Sequence, residues 1–499
     1  MATPASLVFF GDSLTDNGNL FHLAGIPQPP YVTGIYSNGP TYAAPLNLPA
    51  LLHLSSADFA YAGARALGSQ PVAGTDINLS GQVDKYLKQP HAAHTVVSIN
   101  IGSNDYLNYD PKKNGDPASY VKSVIQSIGN EVNALVTAGG VDEVILFNLP
   151  NPALAPAKAA LTPAQLAGAT AIVAGHNHGI DILAATQEAL GIHTVVVDIA
   201  RLQTEFTKDA DTFGLKTTDI PFVAPDAQGV HHPTPVLNFL RPDQVAYFDE
   251  IHPSAAVHGV AAIFAADTLQ SGQTMLFNGG AQVLTGSAGS DFVFTGFGND
   301  AITSLGGNDT VFAGRGNDLV QAGDGNDLVA GGGGNDKLFG GTGSDVLAGN
   351  LGNDKLYGGA GADVLISGQG TDVAYGGGGN DVFIFAQDLQ VAAHGVFNGG
   401  GSTDAVRVIV QDFTLSGFNP AAALVQGDIL QFVTSVATTH HGSLATLGLT
   451  VNNIERVEIY IQSHATGAIS LLTAAGAAAP HETAVVHTLL HSADLWGLL

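Results

Sequence analysis

A nine-residue period runs without a break through residues 286–384 and constrains the fold of this chain more than any other feature. Eleven consecutive units fill this window, from GSAGSDFVF through GGGGNDKLF to GGGGNDVFI. Each unit has Asp at its sixth position, Gly two places before that Asp and an apolar residue two places after it. A strict period of this length predicts a solenoid in which every unit stacks on its neighbours.

The repeated aspartates are the candidate metal ligands of this solenoid. The chain has no cysteine, so any metal must be held by oxygen or imidazole. Glycine allows turns with positive φ, and carboxylate and backbone carbonyl oxygens are the ligands that Ca²⁺ prefers. The candidate ligands are Asp291, Asp300, Asp309, Asp318, Asp327, Asp336, Asp345, Asp354, Asp363, Asp372 and Asp381.

The apolar residue after each aspartate is expected to face the inside of the solenoid. Only Ala374 is small for such a position, and the second position departs from Gly at Ser287, Leu305 and Asn350, where the turn is less well specified. The predicted inward residues are Val293, Ile302, Val311, Val320, Val329, Leu338, Leu347, Leu356, Leu365, Ala374 and Phe383.

This array resembles the calcium-binding nonapeptide repeats of RTX proteins. The resemblance implies a parallel β-roll with Ca²⁺ between successive turns, on the order of eight or nine ions because terminal units lack a neighbour. A Gly/Asp-rich segment with a thin core cannot offset its conformational entropy alone, so calcium is expected to drive its folding. The alternative, a flexible glycine-rich linker, does not explain the strict register.

The sequence before the array has the pattern of a doubly wound α/β domain. Apolar runs without polar alternation indicate buried parallel strands, and helix-like stretches separate them. The predicted strands are residues 7–10, 96–101, 144–147 and 194–197, and the predicted helices are residues 118–138, 163–190 and 254–269.

The tetrapeptide GDSL at residues 11–14 directly follows the first predicted strand. Ligands of open α/β sheets bind beyond the carboxyl ends of the strands, so Ser13 is well placed to contact one. Taken alone, the tetrapeptide is equally consistent with a turn and a helix N-cap. The candidate site therefore depends on further motifs in the chain.

Four blocks, in order, resemble the SGNH/GDSL hydrolase family of esterases and lipases. They are FFGDSLTDNGN (9–19), FAYAGA (59–64), IGSND (101–105) and FDEIHP (248–253). The resemblance implies a flavodoxin-like three-layer α/β fold and hydrolysis of carboxyl esters, with lipid or phospholipid acyl esters favoured over acetylated sugars. It requires no catalytic cofactor.

The resemblance also implies the roles of individual residues. Ser13 is expected to be the nucleophile, His252 the general base and then acid, and Asp249 the carboxylate that orients the imidazole. The backbone N–H groups of Ser13 and Gly63 and the side-chain amide of Asn104 are expected to form the oxyanion hole. Singly, Gly63 is also consistent with a turn glycine, Asn104 with an Asx-turn and His252 with a helix start.

Other polar residues are expected to have supporting roles. His176, His178 and the pair at 231–232 are predicted to pack or to face solvent rather than bind metal. Asp16 and Asn19 are predicted to hold the loop beneath Ser13. For Asp105 two roles are equally consistent with the sequence, a structural one and contact with substrate. The Pro/Gly-rich stretch 25–49, which contains Tyr31, Tyr36 and Tyr42, is predicted to be a surface loop, and the alternative is that these tyrosines line an acyl or leaving-group pocket.

Charge and hydropathy limit the partners. The net charge of −27 argues against nucleic acid. No apolar run reaches the ~18 residues that a membrane helix needs, which leaves transient contact with a membrane surface open. Residues 1–10 lack a basic n-region, so no cleaved N-terminal signal peptide is expected.

Three domains are predicted: a hydrolase domain at 1–275, the RTX β-roll at 276–390, and a cap with a type I secretion signal at 391–499. Further β structure is expected at residues 404–413 and 427–430. The RTX resemblance implies the type I secretion machinery as a partner and an extracellular location, where calcium folds the roll. The alternative is an RTX adhesin or surface protein whose hydrolase domain is a relic.

Overall fold

The computed structural model divides into two compact units. Met1–Lys208 and Thr217–Ala266 form the first, and Asp209–Lys216 and Asp267–Leu499 form the second. The residues that the structure describes are 6–24, 41–45, 48–52, 54–92, 94–208, 210, 215, 217–221, 223–225, 231–233, 246–247, 249, 251–269, 274–276, 280–387, 394–412, 441–444, 449–463 and 469–476.

A five-stranded parallel sheet forms the centre of the first unit. Its sheet order is β2-β1-β5-β6-β7, so the second strand along the chain lies at one edge and the first lies beside it. This is the flavodoxin-like order of doubly wound proteins, and it confirms the predicted fold class. The strands of the first unit are β1 (Ser6–Gly11), β2 (Ser55–Asp58), β3 (Pro71–Val72), β4 (Thr75–Asp76), β5 (Thr95–Asn100), β6 (Val141–Phe147), β7 (His193–Val197), β8 (Val223–Pro225) and β9 (His231–Pro233).

Helices pack against one face of this sheet through a single buried cluster. Phe10 and Val144 of the sheet share that cluster with Val83, Val124 and Ile180 from three different helices. The helices are α1 (Asn19–Ala24), α2 (Leu48–Leu51), α3 (Leu79–Leu87), α4 (Ser103–Leu107), α5 (Pro111–Asn114), α6 (Pro117–Ala138), α7 (Pro163–Ala189), α8 (Ile199–Lys208) and α9 (Ala255–Leu269), with a 3-10 helix at Pro156–Ala160.

The opposite face of the sheet is covered by Tyr42 and α9. The Tyr42 ring lies 5.8 Å from that of Phe9 and 4.6 Å from that of Phe147, and it stacks on His258 of α9 at 6.5 Å. The sheet therefore has a layer on each face, as predicted. Tyr42 itself is 2% exposed, so the prediction of a surface loop is wrong for this tyrosine.

The long helices begin where the sequence supplies N-caps. Asp116 accepts the N–H of Ser119 at the start of α6, and Pro occupies the first turn. Thr162 and Gln165 form a capping box at the start of α7. These local signals explain why the predicted helices and the observed ones agree closely.

The second unit is a β-roll of two sheets. From β10 to β24 the strands are parallel and alternate between the sheets along the chain, and each sheet ends in one antiparallel pair, β27 with β28 and β26 with β25. Every predicted inward residue is at most 2% exposed and belongs to one core cluster, including Ala374. The strands are β10 (Thr274–Leu276), β11 (Val283–Thr285), β12 (Phe292–Phe294), β13 (Ala301–Gly306), β14 (Thr310–Arg315), β15 (Leu319–Asp324), β16 (Leu328–Gly333), β17 (Lys337–Thr342), β18 (Val346–Leu351), β19 (Lys355–Ala360), β20 (Val364–Ile366), β21 (Thr371–Gly378), β22 (Val382–Gln387), β23 (His394–Gly401), β24 (Ala405–Asp412), β25 (His441–Leu444), β26 (Leu449–Asn452), β27 (Arg456–Ser463) and β28 (Ile469–Gly476).

The three units that depart from glycine at the second position keep their turns. Leu305 and Asn350 adopt φ values of 82° and 70°, the left-handed conformation that glycine supplies in other units. Ser287 instead donates its N–H and its hydroxyl to the carboxylate of Asp291.

Two predictions concern the region after the repeats. The strand predicted at 404–413 is confirmed as β24, whereas residues 427–430 lie outside the described part of the chain. The proposed division of the second unit at residue 390 stays a prediction. Among the described residues, no helix is long and apolar enough to span a bilayer.

Candidate active site and calcium ladder

Ser13 lies in a tight turn immediately after β1. The N–H groups of Thr15 and Asp16 both donate to the carbonyl of Asp12, and the Asp12 carboxylate accepts the N–H of Leu14 at 3.1 Å. The N–H of Asp12 donates to the carbonyl of Asn100 at the end of β5. These bonds present the Ser13 side chain at the carboxyl edge of the sheet.

A hydrogen-bonded chain joins Ser13, His252 and Asp249. Nε2 of His252 lies 2.9 Å from Oγ of Ser13, and Nδ1 of His252 lies 2.7 Å from Oδ2 of Asp249. Asp249 is 2% exposed and His252 9% exposed. With Nδ1 carrying its proton toward the carboxylate, Nε2 is left to accept the serine proton.

A short turn before α9 holds the imidazole and the carboxylate together. The other oxygen of Asp249, Oδ1, accepts the backbone N–H groups of Ile251 at 2.9 Å and His252 at 2.8 Å. The carboxylate thus holds its own backbone turn as well as the imidazole. Because Asp249 precedes His252 by only three residues, one short turn positions both members of the Asp–His pair.

The two remaining predicted site residues are Gly63, on the loop after β2, and Asn104, at the start of α4. Gly63 is exposed with φ of +80°, and no atom lies within 4 Å of the place where a Cβ would be. Asn104, in the first turn of α4, donates its Nδ2 to the carbonyl of Ala64 at 3.1 Å. Because Tyr61 also donates its N–H to the carbonyl of Gly11, the second block is tied to the end of β1.

Asp16 anchors the loop beneath Ser13, as predicted. Its carboxylate accepts the N–H groups of Gly18, Asn19 and Leu20, and it also accepts that of Ala62 in the second block. The Asn19 side chain adds a bond of 2.9 Å to the carbonyl of Ala60. One buried carboxylate therefore connects the nucleophile loop to the loop that carries Gly63.

Asp105 has a structural position. Its side chain is fully buried and accepts the N–H groups of Ala66 at 2.7 Å and Leu67 at 3.2 Å. Burial raises the pKa of Asp105 to about 6, although these two N–H donors oppose the shift. Of the two roles left open, the contacts support the structural one.

Of the histidines predicted to pack or to face solvent, His176 and His178 do so, whereas the side chains of the pair at 231–232 lie outside the described part of the structure. His176 is fully buried, its Nδ1 lies 2.8 Å from the Tyr106 hydroxyl, and a Cβ at Gly102 would overlap its ring. Burial lowers the pKa of His176 to about 3. His178 is exposed. Within the described ranges, no three His, Asp or Glu side chains cluster as a metal site.

The repeated aspartates form two ladders along the β-roll. From Asp309 to Asp381, each Oδ1 accepts the backbone N–H of the aspartate 18 residues earlier, at 2.7 to 3.0 Å. The second oxygen is different: it is buried and has no hydrogen-bond partner. The aspartates with such an Oδ2 are Asp300, Asp309, Asp318, Asp327, Asp336, Asp345, Asp354, Asp363, Asp372, Asp381 and Asp404.

The partnerless oxygens point into cradles lined by backbone carbonyls. A Cβ placed on Gly340 would overlap Oδ2 of Asp345 and lie 2.7 Å from the carbonyl of Gly358. Gly349 shows the same arrangement with Asp354 and the carbonyl of Ser367. One carboxylate oxygen converging with carbonyl oxygens is a hard-oxygen donor set, which fits Ca²⁺.

Burial makes the charged form of these carboxyl groups unfavourable. Burial raises the pKa of Asp309 to about 7; the N–H of Asp291 opposes this shift and the carboxylate of Asp327 adds to it. Burial likewise raises the pKa of Asp318 to about 8. A divalent cation would remove this penalty, since it stabilises the charged form.

Asp404 is a member of the ladder that the repeat pattern did not reveal. The last perfect unit ends at residue 384. The sequence GGGSTDAVR at 399–407 resembles a unit after an insertion, but it has Ser402 instead of Gly two places before the Asp. Its signal in the sequence is the Gly-rich run followed by Asp and, two places later, Val406. Asp404 accepts the N–H of Asp381 at 2.9 Å.

Comparisons with known proteins agree with both parts of the chain. The profile of the RTX calcium-binding nonapeptide repeat matches five overlapping stretches between residues 278 and 386. The chain is 30% identical over 224 residues to phosphatidylcholine-sterol acyltransferase of Aeromonas hydrophila, covering 43% of this chain and 64% of that one. It is 25% identical over 275 residues to thermolabile hemolysin of Vibrio parahaemolyticus, covering 51% and 62%.

The chain thus spans less than two thirds of the length of these curated relatives. Among solved structures, the acetylxylan esterase Axe2 of Geobacillus stearothermophilus matches with a TM-score of 0.30 and 16% identity, over 54% of this chain and 94% of that one. The profile of the family described as GDSL-like Lipase/Acylhydrolase matches residues 7–263, just over half of the chain. The chain therefore belongs to the GDSL-like lipase/acylhydrolase family.

Proposed function

We propose that this protein is an extracellular serine hydrolase of lipid acyl esters, with a β-roll that calcium folds. The observation that carries the proposal is the chain of hydrogen bonds from Ser13 Oγ through the His252 imidazole to Asp249, at 2.9 and 2.7 Å. A nucleophile, a base and an orienting carboxylate in this order are the requirement for acyl transfer through a serine.

The reaction begins when His252 Nε2 takes the hydroxyl proton of Ser13 and Oγ attacks the ester carbonyl. The tetrahedral intermediate collapses to an acyl-serine as the imidazolium returns the proton to the leaving alcohol. Water then enters, loses a proton to Nε2 and attacks the acyl-serine. The second intermediate collapses as the imidazolium returns this proton to Oγ of Ser13, and the fatty acid leaves. Asp249 keeps Nδ1 protonated and stabilises the imidazolium in both halves.

The negative oxygen of the intermediate needs donors that are already in place. The N–H of Ser13, the N–H of Gly63 and Nδ2 of Asn104 are assigned to it. Gly63 supports this role because its open surroundings leave room for substrate against the backbone. Asn104 supports it because one of its two amide protons is bonded to Ala64, which fixes the rotamer and leaves the second proton to donate.

The Aeromonas relative supports a proposal for the substrate class. The Aeromonas protein is named for acyl transfer from phosphatidylcholine to a sterol, and it shares 30% identity with this chain over 224 residues. The acyl ester of a glycerophospholipid is therefore the substrate we assign. Water would take the place of the sterol as acyl acceptor.

Calcium is assigned to the cradles of the ladders. The Oδ2 atoms of the repeated aspartates and the facing carbonyls would hold the ions, which neutralise buried carboxylates and supply no part of the chemistry at Ser13. Extracellular calcium modules bind with Kd of about 10⁻⁴ to 10⁻³ M, so the roll would order outside a cell and stay unfolded inside one.

Export is proposed to follow the type I route. The supporting argument is the folding switch, since such a route carries unfolded chains and calcium then folds them outside. Residues after about 390 would carry the export signal. Deletion of roughly the last 60 residues should abolish release into the medium, and unaltered release would contradict the assignment.

The decisive experiment compares wild type with Ser13→Ala on nitrophenyl esters of increasing chain length and on phosphatidylcholine vesicles, each with calcium and with chelator. Ser123→Ala is the matched control, because Ser123 is exposed on α6 and its hydroxyl bonds the carbonyl of Ser119 in the same helix. Fatty acid release that is lost in Ser13→Ala and kept in Ser123→Ala is expected.

Other outcomes separate the parts of the proposal. Serine-dependent cleavage of acetyl esters alone would contradict the lipid substrate but not the hydrolase. If no ester is cleaved in a serine-dependent way, the result would favour the alternative, an adhesin or surface protein whose function resides in the calcium-binding roll. Activity that survives chelation would limit calcium to secretion and stability.

A further inference from the structure

One of the two aspartate ladders continues past the perfect repeats. Asp404 stands 23 residues after Asp381 instead of 18, yet its Oδ1 accepts the Asp381 N–H at 2.9 Å, just as the members from Asp309 to Asp381 accept the N–H of the preceding aspartate on the same ladder. Val406, two places later, is fully buried in the roll core. The inserted residues therefore do not break the ladder.

Asp404 also has the buried, partnerless oxygen that marks the repeat sites. The residue is 0% exposed, and its Oδ2 accepts no hydrogen bond. A Cβ on Gly399 would overlap both Oδ2 of Asp404 and the backbone carbonyl of Asn453. One step earlier, Gly376 has the same relationship to Asp381 and the carbonyl of Gly399. The donor set is thus repeated with Asn453 in the carbonyl position.

Glu455 ends this ladder. Its Oε2 accepts the N–H of Asp404 at 2.8 Å, so a glutamate takes the place of the next aspartate. The N–H groups of Glu455 and Arg456 both donate to the Asp404 carbonyl at 3.0 Å. The backbone N–H and the backbone carbonyl of Asp404 are therefore both hydrogen-bonded to the segment that joins β26 to β27.

The second ladder stops earlier, and its end provides a comparison. Asp372 of β21 is paired with Gly395 of β23, which has no carboxylate. No member follows Asp372 along that row, whereas Asp404 follows Asp381 on the other. The extension is therefore specific to one edge of the roll.

We propose that Oδ2 of Asp404 and the carbonyl of Asn453 hold one further divalent cation, Ca²⁺ by the chemistry of the donors, outside the eleven repeats. The cation offsets the buried negative charge of Asp404, whose Oδ2 has no hydrogen-bond partner among the residues that the structure describes. It also ties β24 to the turn that precedes β27. The site would hold the strands after the repeats to the end of the roll.

The test measures calcium stoichiometry on the full chain, with calcium as the only probe. Asp404→Asn keeps an oxygen acceptor for the Asp381 N–H and removes the charge. Asp345→Asn does the same at a repeat site. Asp324→Asn is the control, because Asp324 is exposed and bonds the Thr342 hydroxyl instead of lining a cradle.

At saturating calcium, Asp404→Asn and Asp345→Asn should each bind one ion fewer than wild type, and Asp324→Asn should bind the wild-type number. The proposal would be overturned if Asp345→Asn binds one ion fewer than wild type while Asp404→Asn binds the wild-type number. If Asp404→Asn fails to fold, or if neither variant loses an ion, the anomalous density of the calcium-loaded wild-type crystal decides. A peak bonded to Asp404 and Asn453 supports the site, and peaks at the repeats alone refute it.

Discussion

The Nε2 atom of His252 lies 2.9 Å from the Oγ atom of Ser13, although 239 residues separate them in the chain. Strand β1 delivers the serine to the carboxyl edge of the sheet, and the turn before α9 delivers the histidine. The proposed chemistry depends on this contact, because one segment supplies only the nucleophile and the other supplies only the base.

Replacing Asp249 by Asn should cut kcat by roughly 10³- to 10⁴-fold, because an amide no longer stabilises the imidazolium and permits the wrong tautomer. Asn retains the carbonyl oxygen that accepts the N–H groups of Ile251 and His252, so the melting temperature should change little. Asp249→Ala loses those bonds and should be less stable as well. Ester hydrolysis and thermal unfolding distinguish the two variants, and a kcat near wild type in Asp249→Asn would contradict the assigned role.

Replacing Asn104 by Ala should lower kcat by roughly 10²- to 10³-fold, the effect of losing one oxyanion donor. KM should change little, since the charge on the oxygen develops only after attack. Asn108→Ala is the matched control, because that amide lies four residues on and donates to the Asn104 carbonyl at the protein surface. Equal kinetics in the two variants would exclude Asn104 from the oxyanion hole.

The hydrolase unit should lose stability in acid through His176. Burial lowers the pKa of His176 to about 3, so the folded state holds the imidazole neutral while the unfolded chain takes a proton below its ordinary pKa. The stability from this residue is therefore present above pH 6.5 and is lost as the pH falls toward 3.

Between pH 7.5 and pH 5 the linkage amounts to about 2 kcal/mol. Urea unfolding in calcium, followed by loss of ester hydrolysis, should therefore show a smaller acid-induced loss in His176→Gln than in wild type. His178→Gln, on the exposed side of the same helix, should behave like wild type. Identical pH dependence in all three proteins would refute the assignment.

The β-roll should respond to acid in the opposite direction when calcium is removed. Burial raises the pKa of Asp327, Asp336 and Asp354 to about 7 in the folded roll, and like-charged neighbours on the ladder add to the effect. These groups therefore stabilise the fold below their unfolded pKa near 4, and the stabilisation disappears as the pH rises through 7.

In chelator, lowering the pH from 8 to 5 should thus increase the β-structure content measured by circular dichroism. In calcium, the same change should weaken ion binding, because protons and cations compete for the carboxylates. A roll that loses β structure in chelator on acidification would contradict the electrostatic account.

Local pattern was sufficient to predict much of this molecule. Buried strands such as β5 and capped helices such as α6 and α7 are encoded in short segments, and the inward residues of the roll follow from a strict period. Strands, capped helices and inward residues need only neighbouring residues or a repeat to be recognised. The triad residues were identified differently, through the resemblance of four short blocks to a known family, and the structure brings Ser13, His252 and Asp249 together.

The features that sequence reasoning missed depend on contacts between distant segments. Tyr42 lies in a Pro/Gly-rich stretch, yet its hydroxyl approaches those of Thr15 and Ser98 inside the core. Asp404 was hidden because an insertion shifts the repeat register, and only the backbone pairing of β22 with β24 restores it. Asp105 could be assigned only when its bonds to Ala66 and Leu67 were visible.

Covalent labelling tests the central claim most directly. A fluorophosphonate reacts with a serine that a neighbouring base activates, and it forms a stable adduct at the attacking oxygen. Intact mass followed by peptide mapping should show one adduct per chain, on Ser13, with none in Ser13→Ala and much slower labelling in His252→Ala. Labelling of a different serine, or none in the folded wild type, would contradict the account.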